Sequence, residues 1–389
     1  MTVVNTESRR AGRRVVLVVA TICALPVTVV AWAVLNGLFG PAKVYPTGAY
    51  PLDVAVADVD GDKRLDVLTA NRDGMSISVF LGRGDGGLEP REPVVLERGA
   101  TSLAVADVSG DGIRDIVVSA CNPGCDDNAV LIFHGRGDGR FVPADEISVG
   151  GVPYNVSLAD LDGDGRLDIA ASDYPGERLM VLRSGWNEAG FSEISLPTGA
   201  KPIALVLADL DDDGNVDLVS SDHGGGGSSV YLSHGNGEFS ERIAVETGKL
   251  PYAIALAPLD ADSIPELVVA HSTDPGRITV LQGRGDGTFA HRQAIAVAGS
   301  PVYVDTADFN GDGARDIVIT RLKAQYAGVF LNEGDGFFDE REIRVPAEGR
   351  IYSLAVEDLN GDHFPDLIAV DYTLGTLSIS LGREPAAVP

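Results

Sequence analysis

Short acidic segments that recur along the chain are its most distinctive chemical feature. The first runs from Asp58 to Asp66 with the pattern Asp-x-Asp-x-Asp-x-x-x-Asp, and position 3 is Asp, Asn or Ser in the later copies. Side chains at positions 1, 3, 5 and 9 of such a turn can converge with the carbonyl of position 7 on one point. Six to eight hard oxygen ligands at ~2.4 Å suit Ca²⁺, whereas Mg²⁺ prefers fewer protein ligands in strict octahedral geometry. Each such segment is called an acidic turn below, and each one with the complete ligand pattern predicts a calcium site.

Seven acidic turns follow one another, and six of them keep the full ligand pattern. In turn 5, Pro258 occupies position 1, so this turn lacks one ligand and is predicted to be metal-free. Position 6 should adopt a positive φ, which favours Gly. Lys63 and His363 occupy it in turns 1 and 7, whose sites are predicted to be weaker. The predicted ligands at positions 1, 3, 5, 7 and 9 are Asp58, Asp60, Asp62, Arg64 and Asp66 in turn 1; Asp107, Ser109, Asp111, Ile113 and Asp115 in turn 2; Asp160, Asp162, Asp164, Arg166 and Asp168 in turn 3; Asp209, Asp211, Asp213, Asn215 and Asp217 in turn 4; Asp308, Asn310, Asp312, Ala314 and Asp316 in turn 6; and Asp358, Asn360, Asp362, Phe364 and Asp366 in turn 7.

The elements that position these turns form a repeat. First positions of successive turns are 49 to 53 residues apart, and short apolar runs split by Gly, Asp and Pro lie between them. Four such strands per period of about fifty residues predict a propeller blade, and seven periods predict an all-β, seven-bladed β-propeller of four-stranded blades. The last copy ends after its third strand, at 377–381, whereas residues 42–48 resemble the fourth strand of another copy at 194–199. We therefore expect the N-terminal strand to complete the last blade and close the ring, which removes exposed sheet edges.

Composition excludes several classes of protein. The chain has 389 residues and a formal net charge of −27, so it should repel phosphate backbones and is not expected to bind nucleic acid. Its hydrophobic content of 44% is sufficient for a buried core and argues against disorder. The 47 Gly and 21 Pro residues favour many turns over long helices.

The acidic turns, together with later Gly-Asp-Gly-x-Phe segments such as 137–141, 285–289 and 334–338, resemble the FG-GAP (VCBS-type) repeat family, which includes the propeller of integrin α subunits. The resemblance covers roughly residues 42 to 383. It implies a seven-bladed propeller with Ca²⁺ in the loops that join the first and second strands. It implies no particular ligand, and integrin function is not implied, because the chain is short and has no counterpart of the integrin leg domains.

The N-terminus predicts the compartment. Four arginines, Arg9, Arg10, Arg13 and Arg14, precede a stretch without charges, of which residues 15–39 are long enough for one transmembrane helix. The arginines should remain in the cytoplasm, so the rest of the chain is expected outside it. We accordingly predict a cytoplasmic tail at 1–14, a membrane anchor at 15–39, a propeller at 40–383 and a C-terminal tail at 384–389. The alternative is a signal peptide cleaved near Ala33, which would give a secreted or periplasmic protein.

The sequence indicates two further sets of candidate site residues. Cys121 and Cys125 lie four residues apart in one loop, and in an oxidising compartment they are expected to form a disulfide. If the acidic turns lie on one face, the opposite face carries the loop with Arg321, Lys323 and Tyr326, which is basic and aromatic on an acidic molecule. Near the same rim, a tyrosine recurs six residues before the turn in three copies, as Tyr154, Tyr252 and Tyr352. These six residues are the predicted ligand-binding set, and packing between blades is the alternative for the tyrosines.

The sequence favours a noncatalytic, membrane-anchored, extracytoplasmic calcium-binding propeller that presents a face to a protein or glycan of the cell envelope or surface. A calcium-dependent polysaccharide lyase or hydrolase that uses the central face is the alternative, and a purely structural envelope subunit is a third possibility. No Ser-His-Asp arrangement or phosphate-binding loop was found, and carboxylates are too numerous to reveal a glycosidase pair.

Overall fold

The computed structural model describes residues 37–122, 124, 127–185, 191–347 and 349–384. These residues form 29 β-strands and no helix. The first strands of the seven blades are β2 (Pro51–Ala57), β7 (Gly99–Ala106), β11 (Pro153–Ala159), β15 (Pro202–Ala208), β19 (Pro251–Ala257), β23 (Ser300–Ala307) and β27 (Ile351–Glu357). The second strands are β3 (Asp66–Asn71), β8 (Asp115–Cys121), β12 (Asp168–Asp173), β16 (Asp217–Asp222), β20 (Glu266–His271), β24 (Asp316–Leu322) and β28 (Asp366–Asp371).

The outer half of each blade contains its third and fourth strands. The third strands are β4 (Ser76–Gly82), β9 (Asn128–Gly135), β13 (Arg178–Arg183), β17 (Gly227–Tyr231), β21 (Gly276–Gly283), β25 (Tyr326–Phe330) and β29 (Thr376–Ser380). The fourth strands are β5 (Leu88–Pro90) with β6 (Val94–Val95), β10 (Phe141–Ser148), β14 (Ser192–Pro197), β18 (Ile243–Val245), β22 (Phe289–Val297) and β26 (Ile343–Pro346), and β1 (Lys43–Pro46) in the last blade. The seven antiparallel sheets confirm the predicted seven-bladed propeller.

The last blade is closed by the N-terminal strand, as predicted. Strand β1 pairs with β29 in antiparallel register, from Lys43 opposite Ile379 to Pro46 opposite Thr376. The segment before β1 adds to the closure: Leu38 is fully buried, and the Phe39 ring lies 5.8 Å from that of Phe309. The main chain of residues 37–40 also bonds to residues 381–383. Both ends of the described chain are thus held in one blade.

Burial differs systematically between the strands. The second strands are buried along almost their whole length, because both of their faces pack against neighbouring blades. The first strands alternate between buried and half-buried residues, because one side of each faces the central channel. Small side chains line that channel at two positions in most blades, three residues and one residue before the acidic turn. Ala104, Ala106 and Ala255 are examples.

The predicted membrane anchor at 15–39 lies outside the described residues except for its last three. Among the described residues, no helix is long and apolar enough to cross a bilayer.

Candidate functional site

Each acidic turn is shaped by the carboxylate at position 1. In turn 1, Asp58 Oδ1 accepts a hydrogen bond from the Gly61 amide at 2.7 Å, and Oδ2 accepts one from the Lys63 amide at 2.9 Å. The equivalent aspartates of turns 2, 3, 4, 6 and 7 also accept amides from within their turns. The carboxylate therefore accepts hydrogen bonds from main-chain amides that have no main-chain acceptor in this tight loop. This explains why position 1 is acidic.

The carboxylates at positions 1, 3 and 5 of turn 1 lie close together. In turn 1, Asp58, Asp60 and Asp62 each offer an oxygen within 4.8 Å of the others. Burial raises the pKa of Asp60, and the carboxylates of Asp62 and Asp58 raise it further. A bound cation would relieve this repulsion, and an all-oxygen donor set fits Ca²⁺ better than a transition metal.

Turns 3 and 4 provide similar clusters, and turn 4 contains an unpaired ligand atom. Asp209, Asp211 and Asp217 offer oxygens within 4.8 Å of one another, as do Asp160, Asp162 and Asp168. Asp211 Oδ1 is buried and has no hydrogen-bond partner among the described residues. A buried oxygen without a partner is costly unless a cation binds it, so the residues of turn 4 fit a metal ion.

The acid at position 9 has a second role that sequence reasoning missed. Asp66 is fully buried; its Oδ2 accepts the Val59 amide and its Oδ1 accepts the Gly82 amide, both at 2.8 Å. All six predicted calcium turns repeat this pair of bonds. The carboxylate at position 9 thus links each turn to the end of the third strand by a hydrogen bond. Burial raises the pKa of this carboxyl to about 6 in Asp66 and to about 7 in Asp316.

Position 6 has a positive φ in every turn, as the sequence predicted. The φ angle is 69° at Lys63 and 72° at His363, against 82° to 89° at the glycines of turns 3, 4 and 6. A residue with a Cβ atom is strained in this left-handed region, whereas glycine is not.

Replacing Lys63 or His363 with Gly should therefore stabilise the protein. We expect each single variant to raise the free energy of unfolding by about 0.5–1 kcal/mol, because relief of strain exceeds the added chain entropy of glycine. Chemical denaturation in metal-free buffer measures the backbone effect separately from calcium binding. Ala314→Gly, at position 7 of turn 6 where φ is not positive, is the matched control and should destabilise. A neutral or destabilising effect of both test variants would contradict the strain argument.

In turn 5, an arginine side chain pairs with the carboxylates. Arg292, on the fourth strand of the same blade, places Nη2 at 2.5 Å from Asp260 Oδ2 and Nη1 at 3.0 Å from Glu266 Oε1. These carboxylates are positions 3 and 9 of the turn, and Arg292 is only 9% exposed. Asp260, Asp262 and Glu266 also cluster within 4.8 Å. The guanidinium already pairs with two of the three carboxylates, which supports the prediction that this turn is metal-free.

Arg292→Gln should strongly destabilise the fifth blade. The substitution leaves two partly or fully buried carboxylates without their cation, and breaking a buried ion pair costs about 3–5 kcal/mol. Thermal melting with and without calcium checks this prediction, and calcium should recover part of the loss because it can replace the guanidinium. Arg341→Gln, which breaks the exposed pair with Asp339, is the matched control and should change the melting temperature far less. Equal effects of the two variants would show that turn 5 does not depend on Arg292.

The three recurrent tyrosines meet across the central channel. Their hydroxyls form a triangle, with 3.1 Å between Tyr154 and Tyr252, 3.0 Å between Tyr154 and Tyr352, and 2.5 Å between Tyr252 and Tyr352. They come from β11, β19 and β27, which belong to blades 3, 5 and 7. Each of these strands has a register irregularity near its start, at the tyrosine. Burial raises the pKa of Tyr252 and Tyr352, so these hydroxyls stay neutral.

Further aromatic residues extend this tyrosine triad on the face opposite the acidic turns. Edge-to-face contacts join Tyr50 to Tyr372 at 5.3 Å and Tyr372 to Tyr352 at 5.9 Å. Two more side chains come from loops between second and third strands: His223 lies 5.5 Å from Tyr252, and Tyr174 lies 5.9 Å from Tyr154. Lys201 Nζ lies 5.7 Å from the centre of the Tyr174 ring. We call the triad with Tyr50, Tyr174, His223 and Tyr372 the tyrosine face.

The predicted basic loop is only partly accessible. Arg321 is 2% exposed and pairs with Glu342 at 2.5 Å, so its guanidinium is not on the surface. It lies 5.4 Å from the centre of the Tyr326 ring, and Arg344 lies 4.6 Å from the same ring. Lys323 is exposed, and Tyr326 is half-buried. Arg321 therefore supports Tyr326 in this structure, and Lys323 and Tyr326 are the members that a ligand could contact.

Cys121 ends β8 and is disulfide-bonded. Cys125 lies outside the described residues, so the expected pairing of the two stays a prediction.

Comparison with solved structures shows the same fold in proteins of low sequence identity. A chain in the crystal structure of BBS1N in complex with ARL6DN, soaked with lead, is 13% identical with a TM-score of 0.64, covering 90% of this chain and 98% of that one. An Agrocybe aegerita lectin that specifically recognises non-reducing terminal N-acetylglucosamine is 18% identical with a TM-score of 0.53, covering 79% and 90%. A functionally unknown protein from Desulfotomaculum acetoxidans is 11% identical with a TM-score of 0.55, covering 77% and 88%.

Sequence comparison places the acidic turns in a known family. The FG-GAP-like repeat model matches residues 58–118, 110–171, 209–269, 259–319 and 308–369, and these ranges begin at or next to the turns. Together they span most of the seven blades. The chain therefore belongs to the FG-GAP-like repeat family.

Proposed function

We propose that this chain is a noncatalytic, calcium-binding propeller that works outside the cytoplasm and binds a protein or glycan of the cell envelope or surface. The observation that carries the proposal is the tyrosine face. Seven aromatic side chains from several blades are gathered on one side of the ring, where loops of variable sequence surround them. Aromatic residues held on a rigid scaffold lose little entropy on binding and are common anchors of interfaces.

A glycan is the ligand class that this surface fits better. Tyrosine rings offer flat apolar faces for the CH groups of a sugar, and their hydroxyls and the nearby Lys201 amine offer hydrogen-bond partners for its hydroxyl groups. Lys323 and Tyr326, also on this side of the ring, could extend the contact. The lectin with the same fold gives independent support that such a scaffold can carry a sugar site.

Calcium has a structural role in this proposal. The carboxylate clusters of turns 1, 3 and 4 would hold three ions on the face opposite the tyrosine face. The ligand pattern of turns 2, 6 and 7 would hold three more, and Arg292 would substitute for an ion in turn 5. The ions would fix the loops between first and second strands and thereby the blades that carry the aromatic side chains.

The location proposed for the propeller depends on the N-terminal residues. Four arginines before an uncharged stretch of 25 residues support a membrane anchor with the propeller outside the cytoplasm. Cleavage near Ala33 would instead release the propeller. Protease accessibility in intact cells, combined with the mass of the mature N-terminus, distinguishes an anchored, a released and a cytoplasmic protein.

A glycan array tests the binding function, with terminal N-acetylglucosamine glycans among the probes. Tyr50→Ala with Tyr372→Ala removes two half-buried rings of the tyrosine face but leaves the triad in place. We expect this double variant to weaken binding at least tenfold without changing the melting temperature. Val95→Ala, an exposed apolar residue elsewhere, is the control and should bind normally. Binding that survives the double variant, or an array on which no glycan binds, would refute the glycan proposal.

A further inference from the structure

The central channel contains a chamber that no part of the proposed function uses. The tyrosine triad closes the channel on one side, and a cavity of about 510 Å³ lies between the triad and the face of the acidic turns. First strands of blades 2 to 6 line it. A cavity of this volume is within the range that holds a small organic molecule.

The walls of the chamber differ in chemistry. On blades 2, 4 and 5 its lining is aliphatic, with Ala104, Val206 and Ala255 facing the channel. On blade 6 the lining is polar, because Tyr303 and Asp305 alternate along β23 and both face the channel. Glu357, one residue before turn 7 on the neighbouring blade, adds a negative charge that acts on Asp305. One anionic wall thus faces several apolar walls.

The carboxylate on this wall has hydrogen-bond capacity left for a ligand. Among the described residues, Asp305 accepts one hydrogen bond, to Oδ1 from the amide of its neighbour Thr306 at 2.7 Å. Burial raises the pKa of Asp305 to about 6, and Arg315, whose guanidinium bonds to Thr306, opposes that rise only in part. The Tyr303 hydroxyl lies on the same wall, and burial and the charge of Asp305 raise its pKa, so it stays neutral. A ligand in the channel can therefore bind both the carboxylate and the hydroxyl oxygen.

We propose that the chamber binds a small organic ammonium ion with an apolar body. The ammonium group would pair with Asp305 and donate an N–H to the hydroxyl oxygen of Tyr303, while the apolar part would lie against the alanine and valine walls. Neutral ligands of the same shape could fill the cavity but would leave the carboxylate uncompensated. This site is separate from the tyrosine face and does not depend on the glycan proposal.

Calorimetric titration of the calcium-saturated full-length chain with phenethylammonium and with neutral 2-phenylethanol tests this inference. We expect the ammonium ion to bind at least tenfold more tightly than the alcohol. Asp305→Asn should abolish this difference between the two probes, because it removes the charge and keeps the shape. Ala255→Leu, which adds volume to the chamber lining on the neighbouring blade 5, should weaken both probes. Asp145→Asn, at an exposed acid on β10, is the charge-matched control and should change neither.

Three results would overturn the proposal. One is the absence of ammonium binding at millimolar concentration, and another is equal affinity for the ammonium ion and the alcohol. The third is ammonium binding that neither Asp305→Asn nor Ala255→Leu affects, which would place it at the acidic turns or elsewhere on the surface. Each variant is first compared with the wild type by thermal melting. If Asp305→Asn fails to fold, the Ala255→Leu titration alone decides the outcome.

Discussion

Removal of calcium should lower the melting temperature of the propeller by roughly 10 °C or more. Sites with a Kd of ~10⁻⁴–10⁻³ M each stabilise the folded state by about 1 kcal/mol at millimolar calcium, so six sites add about 6 kcal/mol. For a domain of this size, a change of 1 kcal/mol shifts the melting temperature by about 2 °C. The measurement is thermal melting in excess chelator and in millimolar calcium, with magnesium at the same concentration as the control for ionic strength.

A single-turn variant locates the effect. Asp211→Asn removes the carboxylate whose Oδ1 is buried without a described partner, and it should reduce the calcium-dependent stabilisation by about 1 kcal/mol. Asp73→Asn, at an exposed acid outside the turns, has the same change of charge and should leave the calcium effect intact. Melting curves that coincide with and without calcium would contradict the structural role given to the ion.

Deletion of the N-terminal strand should prevent stable folding. A chain that begins at residue 51 lacks β1, so β29 loses its partner and the buried side chains of Leu377 and Ile379 become exposed at a sheet edge. It also loses Leu38, which is fully buried in the last blade. We expect this chain to aggregate or to unfold at a much lower denaturant concentration than a chain that begins at residue 37.

Two intermediate variants separate the contributions of β1 and of the segment before it. A chain that begins at residue 41 keeps β1 but loses Leu38 and Phe39, so it should fold with a loss of a few kcal/mol from the removal of buried apolar surface. Tyr45→Ala keeps the strand and removes a ring that contacts Phe80 at 6.0 Å, which should cost less than deletion of β1. Equal stability of the chains that begin at 37 and 51 would show that β1 does not close the ring.

The repeat made the fold predictable from sequence. Seven turns in nearly constant phase established the number of blades, and the likeness of residues 42–48 to a fourth strand indicated the closure that β1 and β29 show. Position 6 was also predictable, since only a positive φ explains a recurrent glycine there, and Lys63 and His363 adopt that angle despite their side chains.

Contacts between distant residues were not predictable in the same way. Arg292 neutralises turn 5 from a strand that lies 26 residues beyond Glu266, and one arginine in a fourth strand carries no periodic signal. The meeting of Tyr154, Tyr252 and Tyr352 depends on the radial arrangement of blades, although their constant offset from the turns was visible. The sequence predicted that Arg321 lies in an accessible loop, but it belongs to β24 and Glu342 holds it in a buried pair.

A count of bound calcium ions tests the central claim most directly. Equilibrium dialysis of the full-length chain followed by elemental analysis gives the number of ions per chain at saturation. The account predicts six ions per chain, held at turns 1, 2, 3, 4, 6 and 7, with turn 5 closed by Arg292. The absence of bound calcium would contradict the assignment of the acidic turns, and a count of seven would contradict the role of Arg292.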